Sequence, residues 1–238
     1  MKTALIIGAT SGIGKELAKL LVADNYKVII TGRREKLLKE IQETAPEKYI
    51  IKVQDVTDLI SCDKLFENLK NEFKTIDLIV YSSGVGEANY TLDWQKELPT
   101  LNTNILAASK IYGLAYNFFR AQGYGHLVGI SSIASIRGNR HTPAYFASKA
   151  FQANYLESLY MKGKRSKAKI YVTDIQPGFV DTAMALGTTF WMASLEKATK
   201  QIYRAIKNKK RKAYITKRWR LIALVLKIVP TKLLYKFS

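Results

Sequence analysis

The sequence contains little cysteine, little histidine and no long apolar run. A single cysteine among 238 residues, Cys62, cannot form an internal disulfide, which fits a reducing, cytoplasmic compartment. The two histidines, His126 and His141, lack the spacing of metal ligands, so we predict no metal site. The longest apolar stretch, residues 221–229, is far shorter than the roughly 20 residues of a membrane-spanning helix. The apolar start of the chain runs directly into a glycine turn, so we expect a folded N-terminus and not a secretory signal.

Acidic residues are missing from the C-terminal part of the chain. Residues 197–238 contain fourteen Lys or Arg and no Asp or Glu, whereas the first 196 residues hold 24 basic and 19 acidic residues. The basic run 207–212 and the apolar segment 219–229 suit a peripheral contact with an anionic membrane. They equally suit an apolar face packed at a subunit interface or on the domain, with solvated lysines. A nucleic-acid partner is not predicted, because no motif supports it and no aromatic residues interrupt the basic run.

The first fourteen residues contain the motif around which the chain is organised. The apolar run Ala4–Ile7 leads into three glycines and then a helical pattern, which predicts a strand, a tight turn and a helix start. Gly8 lets the chain bend, Gly12 lets backbone approach a bound group, and Gly14 lets helix and strand pack closely. Unpaired N–H groups and the helix dipole then favour an anion, here a pyrophosphate. The cluster alone also fits a tight connection without a ligand, since its spacing differs from the common dinucleotide fingerprint.

Strand patterns alternate with helical patterns of ten or more residues. The predicted strands are Ala4–Ile7, Tyr26–Thr31, Tyr49–Val53, Asp77–Tyr81, Gly125–Ser131 and Ile170–Ile175, with an edge strand at Ala213–Thr216. The predicted later helices cover residues 35–44, 57–73, 94–119 (one or two helices) and 143–162. This alternation predicts a single α/β domain of Rossmann type, a doubly wound parallel sheet with its ligand at the carboxyl ends of the strands. Residues 1–195 form the catalytic part, and residues 196–238 supply the last helix and strand and a basic C-terminal helix.

Two arginines follow the second predicted strand and bear on the choice of dinucleotide. An acidic residue near this point holds the ribose hydroxyls of NAD, whereas Arg accommodates the 2′-phosphate of NADP. The chain has Arg33 and Arg34 here and no acid between Val28 and Arg34. Planar guanidinium donors match phosphate oxygens, so we predict NADP(H). The alternative is two solvated arginines that open the helix at Glu35.

A tyrosine and a lysine spaced four apart supply the candidate chemistry. Tyr145 and Lys149 share a face of the predicted helix, and an ammonium beside a phenol lowers the phenol pKa toward the range useful for proton transfer. Tyr160 with Lys164 and Tyr203 with Lys207 have the same spacing. The spacing alone therefore leaves three candidate pairs.

Taken together, the motifs resemble the single-domain short-chain dehydrogenase/reductase family. They occur in the family's order over residues 3–182: the glycine turn, Asp55-Val56, an active-site Asn, Ser132, Tyr145 with Lys149, and Pro177-Gly178. The family places a Ser thirteen residues before its Tyr. Tyr145 alone among the three candidates has one, Ser132, because the equivalent positions before Tyr160 and Tyr203 are Ala147 and Phe190.

The resemblance implies a role for each catalytic residue. Tyr145 would be the general acid or base, Ser132 would hydrogen-bond the reacting oxygen, and Lys149 would bind the nicotinamide ribose and lower the Tyr145 pKa. Asn104 would hold a water that links Lys149 to solvent. Two positions compete for these roles: Ser131, which spacing disfavours, and Asn102, which lacks the Ile-Leu-Ala that follows Asn104.

The resemblance also implies the cofactor contacts. These are Gly8, Thr10, Ser11, Gly12, Ile13, Gly14, Arg33, Arg34, Asp55, Val56, Ser82, Ser83, Gly84, Tyr145, Lys149, Pro177, Gly178, Val180 and Thr182. One segment departs from the family pattern, since residues 81–84 read Tyr-Ser-Ser-Gly where relatives carry Asn-Asn-Ala-Gly. The asparagine hydrogen bonds of relatives are therefore absent there. Pro177-Gly178 also fits a plain strand-ending turn.

These observations favour an NADP(H)-dependent oxidoreductase that acts on a carbonyl or secondary alcohol. Residues 183–195 fall where the family has its substrate lid, and apolar side chains there indicate an apolar substrate or plain core. The resemblance also implies a homodimer or homotetramer formed through the helices that carry Asn104 and Tyr145. The rival class is a non-enzymatic dinucleotide fold that binds an anionic membrane or nucleic acid through its basic tail. An epimerase or dehydratase is disfavoured, because such enzymes usually append a substrate domain that this length hardly permits.

Overall fold

A computed structural model describes residues 1–182 and 191–234 of the chain. Its strands are β1 (Lys2–Ile7), β2 (Tyr26–Gly32), β3 (Tyr49–Val53), β4 (Leu78–Tyr81), β5 (Tyr124–Ile130), β6 (Lys169–Pro177) and β7 (Lys212–Ile215). Its α-helices are α1 (Gly12–Ala23), α2 (Glu35–Glu43), α3 (Leu59–Glu72), α4 (Trp94–Leu101), α5 (Ala108–Gln122), α6 (Pro143–Lys164), α7 (Leu195–Lys207), α8 (Trp219–Ile228) and α9 (Thr231–Leu234). A π-helical turn, Asn102–Ala107, joins α4 to α5, and a short 3₁₀ turn, Ile133–Ser135, follows β5.

The seven strands form one parallel sheet in the order β3-β2-β1-β4-β5-β6-β7. The predicted Rossmann-type α/β fold is therefore confirmed, including the edge position of the last strand. β6 runs to Pro177, two residues beyond the predicted end, because Pro177 still pairs with Ile215 of β7 and the Gly178 amide donates to the Ile215 carbonyl at 2.6 Å. All carboxyl ends of a parallel sheet share one edge, and the strand order reverses between β1 and β4. That edge is where a ligand is expected.

Helices cover both faces of the sheet, as a parallel sheet requires. Leu17 of α1 and Ile202 of α7 belong to the core on one face, and Phe66 of α3 and Phe119 of α5 belong to the core on the other. The strand residues between these layers, such as Ile6 of β1, are fully buried. The sheet is thereby a rigid frame that fixes the ends of its strands and the side chains that follow them.

Cys62 lies in the second of these cores and is fully buried. Burial raises the pKa of its thiol to about 11, so the reactive thiolate is rare at neutral pH. Over residues 1–182 and 191–234, every helix is too short or too polar to cross a bilayer.

Candidate active site

A cavity of about 510 Å³ opens at the carboxyl edge of the sheet. Most of the residues predicted to contact a dinucleotide line it. They are Gly8, Thr10, Ser11, Gly12, Ile13, Arg33, Arg34, Asp55, Val56, Ser82, Ser83, Gly84, Tyr145, Lys149, Pro177, Gly178, Val180 and Thr182, and the predicted catalytic residue Ser132 lines it too. Gly14 and Asn104 lie outside the lining. The β1–α1 turn and the ends of β2 to β6 thus bring together residues that are far apart in the chain.

The glycine turn has the backbone shape that a phosphate site needs. Gly8 has φ +88° and Gly12 has φ +54°, values that side chains disfavour. A Cβ on Gly14 would lie 2.1 Å from the Gly8 carbonyl oxygen, so this glycine serves helix packing and not the cavity itself. Beyond Gly12 the nearest side chain is Thr182, 3.6 Å from where a Cβ would stand. The open glycine backbone at the start of α1 fits a pyrophosphate.

Arg33 and Arg34 lie at the far end of the cavity, beyond β2. The Arg34 guanidinium donates to the hydroxyls of Thr10 at 2.5 Å and Ser11 at 2.9 Å, so it folds back onto the glycine turn. Arg33 pairs with Asp55 at 3.5 Å; the Arg33 side chain is largely exposed and that of Asp55 is partly buried. Both guanidinium groups therefore face the part of the cavity next to the turn.

Ser132, Tyr145 and Lys149 line the other end of the same cavity. Ser132 follows β5, and its hydroxyl accepts from the Ala134 amide at 3.1 Å and lies 3.4 Å from the Pro177 carbonyl. Tyr145 is in the first turn of α6, where Gly86 makes room for its ring: a Cβ on Gly86 would lie 2.4 Å from the ring. A hydroxyl, a phenol and an amine from two elements converge here.

The pKa of Tyr145 differs from the lowering expected at the sequence level. Its phenol is largely surrounded by protein, and this desolvation raises the pKa above its usual value, while a hydrogen bond from Ser132 opposes the rise. The Lys149 ammonium lies 5.7 Å from the centre of the Tyr145 ring. Burial also lowers the pKa of Lys149 to about 8, against the attraction of Asp174. Burial therefore raises the Tyr145 pKa in this structure, contrary to the lowering expected from Lys149.

Lys149 is held by two hydrogen bonds behind the cavity wall. Its ammonium donates to the Ile130 carbonyl at 3.0 Å and to the Gln152 side-chain oxygen at 3.1 Å. Gly84 leaves space on the cavity side, since a Cβ there would lie 3.3 Å from the Lys149 nitrogen. The ammonium is thereby fixed with one side facing the cavity.

Asn104 lies in the π-helical turn and joins three elements. Its side-chain oxygen accepts from the Val85 amide at 3.0 Å, and its nitrogen donates to the Val85 carbonyl at 2.7 Å and the Ser148 hydroxyl at 2.9 Å. The side chain is completely buried. Asn104 thus fixes the segment after β4 against α6, and both N–H groups of its side chain are used in doing so.

Gln152 is a site residue that the sequence reasoning missed. Its oxygen accepts from Lys149, and its nitrogen donates to the Asn104 carbonyl at 2.9 Å, so it links the two residues directly. The side chain is fully buried. The sequence does contain a signal for Gln152, because it lies three residues after Lys149 on the same face of α6. A polar residue among apolar ones on that face needs a hydrogen-bond partner.

Ser131 and Ser132 occupy different environments. The Ser131 hydroxyl hydrogen-bonds the buried carboxylate of Asp174 and also contacts the Ile175 carbonyl at 3.2 Å. Its neighbour Ser132 faces Tyr145, as the hydrogen bond between them indicates. Ser131 is therefore engaged in the sheet, even though both line the cavity.

The departure at residues 81–84 has a structural explanation. A Cβ on Gly8 would lie 2.6 Å from the Ser83 hydroxyl, so Ser83 packs directly on the glycine turn. The Tyr81 hydroxyl donates to the Thr103 carbonyl at 2.6 Å and secures the π-helical turn before α5. Sequence reasoning also missed further lining positions, each beside a predicted one: Gly32, Gln54, Val85, Thr103, Ile130 and Phe179.

Most of the predicted lid, residues 183–190, lies outside the described residues. Of its remainder, Ala193 is buried and bridges to Val180 as an isolated parallel β-bridge. Trp191 contacts Trp219 of α8, with ring centres 6.2 Å apart. The described end of the lid is therefore joined to both the cavity wall and α8.

Comparison with known proteins gives consistent results. The model of a family described as short chain dehydrogenase matches residues 2–193. An uncharacterized oxidoreductase of Myxococcus xanthus (strain DK1622) is 31% identical over 199 residues, which cover 82% of this chain and 78% of that protein. A probable NADP-dependent dehydrogenase of Haemophilus influenzae is 30% identical over 179 residues, covering 74% of this chain and 70% of that protein.

A solved structure agrees at the level of the fold. The 3-ketoacyl-(acyl-carrier-protein) reductase from Brucella melitensis, complexed with NADH, has a TM-score of 0.80 and 17% identity, covering 90% of this chain and 96% of that one. With the family match and the cavity geometry, these similarities identify the enzyme class. The chain belongs to the short-chain dehydrogenase family and is an NAD(P)-dependent oxidoreductase of the kind that acts on CH–OH or carbonyl groups.

Proposed function

We propose that the protein reduces a carbonyl, or oxidises the corresponding secondary alcohol, with NADP(H) and with Tyr145 as general acid or base. The observation that carries the proposal is the convergence of Ser132, Tyr145 and Lys149 on one cavity that also contains the glycine turn. The nicotinamide, when bound, supplies or accepts the hydride. The residues of the chain supply binding, orientation and the proton.

Each of the three side chains has a role that its position supports. The Ser132 hydroxyl, next to the Tyr145 phenol, hydrogen-bonds the reacting oxygen and stabilises the charge that develops there. Tyr145 transfers a proton to or from that oxygen, and its raised pKa keeps it protonated and ready to donate in the direction of reduction. Lys149, whose ammonium faces the cavity past Gly84, binds the ribose hydroxyls. Glycine backbone at the start of α1 binds the pyrophosphate.

Proton resupply differs in this proposal from the route that the resemblance implies. The Asn104 amide is already used by Val85 and Ser148, and the Asn104 carbonyl accepts from Gln152. Gln152 therefore joins Lys149 to Asn104 directly, whereas the resemblance implies a water, held by Asn104, that links Lys149 to solvent. An amide holds the ammonium in place but cannot relay a proton as readily as water, so we assign Gln152 the role of a positioning residue.

Gln152→Leu is expected to shift the pH profile of activity. The substitution removes an acceptor of the Lys149 ammonium and leaves the charge beside an apolar group, so the lysine pKa falls below about 8. The alkaline limb of the kcat/KM profile then moves to lower pH, because the ammonium is lost earlier. Gln42→Leu is the control. Gln42 is on α2, far from Lys149, and its side chain donates a hydrogen bond to the Tyr49 carbonyl at 3.0 Å. An unmoved alkaline limb in Gln152→Leu contradicts the assignment.

Arg34→Ala is expected to weaken NADPH binding selectively. A guanidinium that hydrogen-bonds a 2′-phosphate contributes about 1.5–3 kcal/mol, which corresponds to roughly a tenfold to hundredfold higher Kd. NADH lacks that phosphate, so its Kd stays within about twofold. Fluorescence titration of both dinucleotides measures this, with Arg165→Ala, a basic residue at the end of α6, as control. An equal loss for both dinucleotides places Arg34 at the pyrophosphate instead.

The proposal also includes self-association and a peripheral contact. We expect a homodimer or homotetramer through α6, which carries Tyr145, and the helical segment 94–122, which contains Asn104, and sedimentation of the full chain measures its mass. The basic tail, residues 207–229, is expected to contact an anionic membrane surface, because it carries many positive charges and residues 197–238 contain no acid. If it binds anions without any turnover, the non-enzymatic alternative gains support.

A further inference from the structure

Helix α8 has two apolar faces, and they have different environments. The inner face packs on the fold through Trp219 and Ala223, which are buried. The outer face consists of Leu221, Leu224, Val225 and Ile228, with exposed fractions between 53% and 70%. These four residues recur at i, i+3, i+4 and i+7, so they form one continuous stripe along the helix. An exposed apolar stripe of this kind indicates a contact site.

Basic side chains border the outer face. Lys217 and Arg220 precede or begin α8, Lys227 lies in its last turn, and all three are exposed. Within residues 1–182 and 191–234 none of the three forms an ion pair. An apolar stripe with free positive charge at both ends is complementary to a surface that is apolar inside and anionic outside. A bilayer that contains acidic lipids has this character.

A second copy of the chain is a poorer match for the outer face. A two-fold interface would place the same patch against itself, so Lys217, Arg220 and Lys227 would face the basic residues of the second copy without an acid from residues 197–238. The helix is also short, since ten residues span about 15 Å. Alone it supplies far less than the roughly 800 Å² that each partner buries in a stable interface.

Both ends of α8 are attached to segments that form the active-site cavity. At its C-terminal end, Arg137, five residues after Ser132, donates to the carbonyls of Leu226 at 2.6 Å and Val229 at 2.9 Å. At its N-terminal end, the Trp219 ring packs on Phe179, with centres 5.5 Å apart. It also packs on Gly178, where a Cβ would lie 2.0 Å from the ring. The helix is therefore fixed beside the cavity, next to Phe179 in its wall.

We propose that the outer face of α8 docks on an anionic lipid surface and that the substrate is a lipophilic carbonyl or alcohol taken from that surface. The proposal rests on the proposed function for its chemistry. Docking through α8 places the bilayer beside Phe179, a cavity residue that is itself 37% exposed. A substrate held in the bilayer then reaches the nicotinamide end along apolar side chains and does not have to pass through water. A water-soluble substrate gains nothing from this arrangement.

Vesicle sedimentation tests the docking surface without any turnover. The full chain is mixed with vesicles of phosphatidylglycerol and phosphatidylcholine or of phosphatidylcholine alone. We expect binding to the anionic vesicles that falls at least about tenfold in Leu224→Asp/Ile228→Asp. Ile60→Asp is the matched control, because Ile60 on α3 is 69% exposed and Ile228 is 70% exposed. Equal binding of the double variant, or no binding by the natural chain, overturns the docking. The docking is also overturned if the natural chain is a dimer in size-exclusion chromatography and the double variant is a monomer.

Oxidation of NADPH tests the substrate class. A long-chain methyl ketone embedded in anionic vesicles is compared with a short, water-soluble ketone. The outer-face double variant is expected to lose about tenfold in kcat/KM for the embedded ketone only. Unchanged activity on it overturns delivery from the surface. Failure of the proposed function is distinguishable from failure of the docking. In that case Tyr145→Phe would keep its turnover, and vesicle binding would stay intact.

Discussion

Tyr145→Phe is expected to lose turnover by about 10²–10⁴-fold and to bind NADPH with nearly unchanged affinity. The substitution removes the hydroxyl that exchanges a proton with the reacting oxygen, and general acid–base catalysis typically contributes a factor of that size. The ring stays in place against Gly86 and beneath Lys149, so the cavity keeps its shape. Stopped-flow or steady-state oxidation of NADPH gives kcat, and fluorescence titration gives the Kd.

Tyr160→Phe provides a closely matched control. Tyr160 is on the same helix and has Lys164 four residues later, with the ammonium 5.5 Å from the ring centre, compared with 5.7 Å for Lys149 over Tyr145. The distance between tyrosine ring and ammonium is thus matched, but Lys164 is exposed, and Tyr160 packs against the core and is absent from the cavity lining. We expect full activity in this variant. Equal losses in both variants, or none in Tyr145→Phe, would show that the phenol of Tyr145 carries no proton in the reaction.

Gly14→Ala is expected to destabilise the fold by about 3 kcal/mol or more and to abolish cofactor binding. The added methyl would lie 2.1 Å from the Gly8 carbonyl oxygen, and this neighbour is backbone, so β1, the turn or α1 must move. Overpacking a rigid contact typically costs about 1–3 kcal/mol, and this contact is closer than most. The movement also misaligns the amides at the start of α1. Urea unfolding and NADPH titration measure the two effects separately.

Gly113→Ala makes the same chemical change as Gly14→Ala but is expected to stabilise the fold. Gly113 is in the middle of α5, and nothing lies within 4 Å of the position that a Cβ would take. Alanine is the better helix former, so we expect a gain of about 0.5–1 kcal/mol and unaltered kinetics. If both variants were destabilised equally, the close contact at Gly14 would not explain its effect.

The fold was largely predictable because its signals are local and agree with one another. Tyr49–Val53 was predicted with its observed bounds, since a short, mostly apolar run between polar connections is typical of a strand, here the partly buried edge strand of the sheet. The parallel sheet was predicted from the alternation of strands and helices, and right-handed crossovers placed the carboxyl ends of its strands along one edge. The edge strand after residue 211 was also confirmed, although basic residues precede it.

The details of the site depend on burial, which the sequence does not display. The rise in the Tyr145 pKa results from desolvation by groups distant in the chain, such as the Gly86 segment. Gln152 could be recognised only after the Asn104 carbonyl was placed opposite α6. The same holds for α8, whose sequence is apolar nearly all round. Only the fold separates its buried Ala223 from its exposed Leu224.

The order of the strands also has a consequence for how the protein is made. No two neighbouring strands of the described sheet are joined by a hairpin, and β1 must pair with β4, which begins 76 residues after β1 does. Every pairing therefore requires closure of a long loop before any contact compensates for the lost chain entropy. We expect slow refolding from denaturant, with unpaired Val- and Ile-rich segments exposed meanwhile. Yield on dilution should accordingly fall as protein concentration rises.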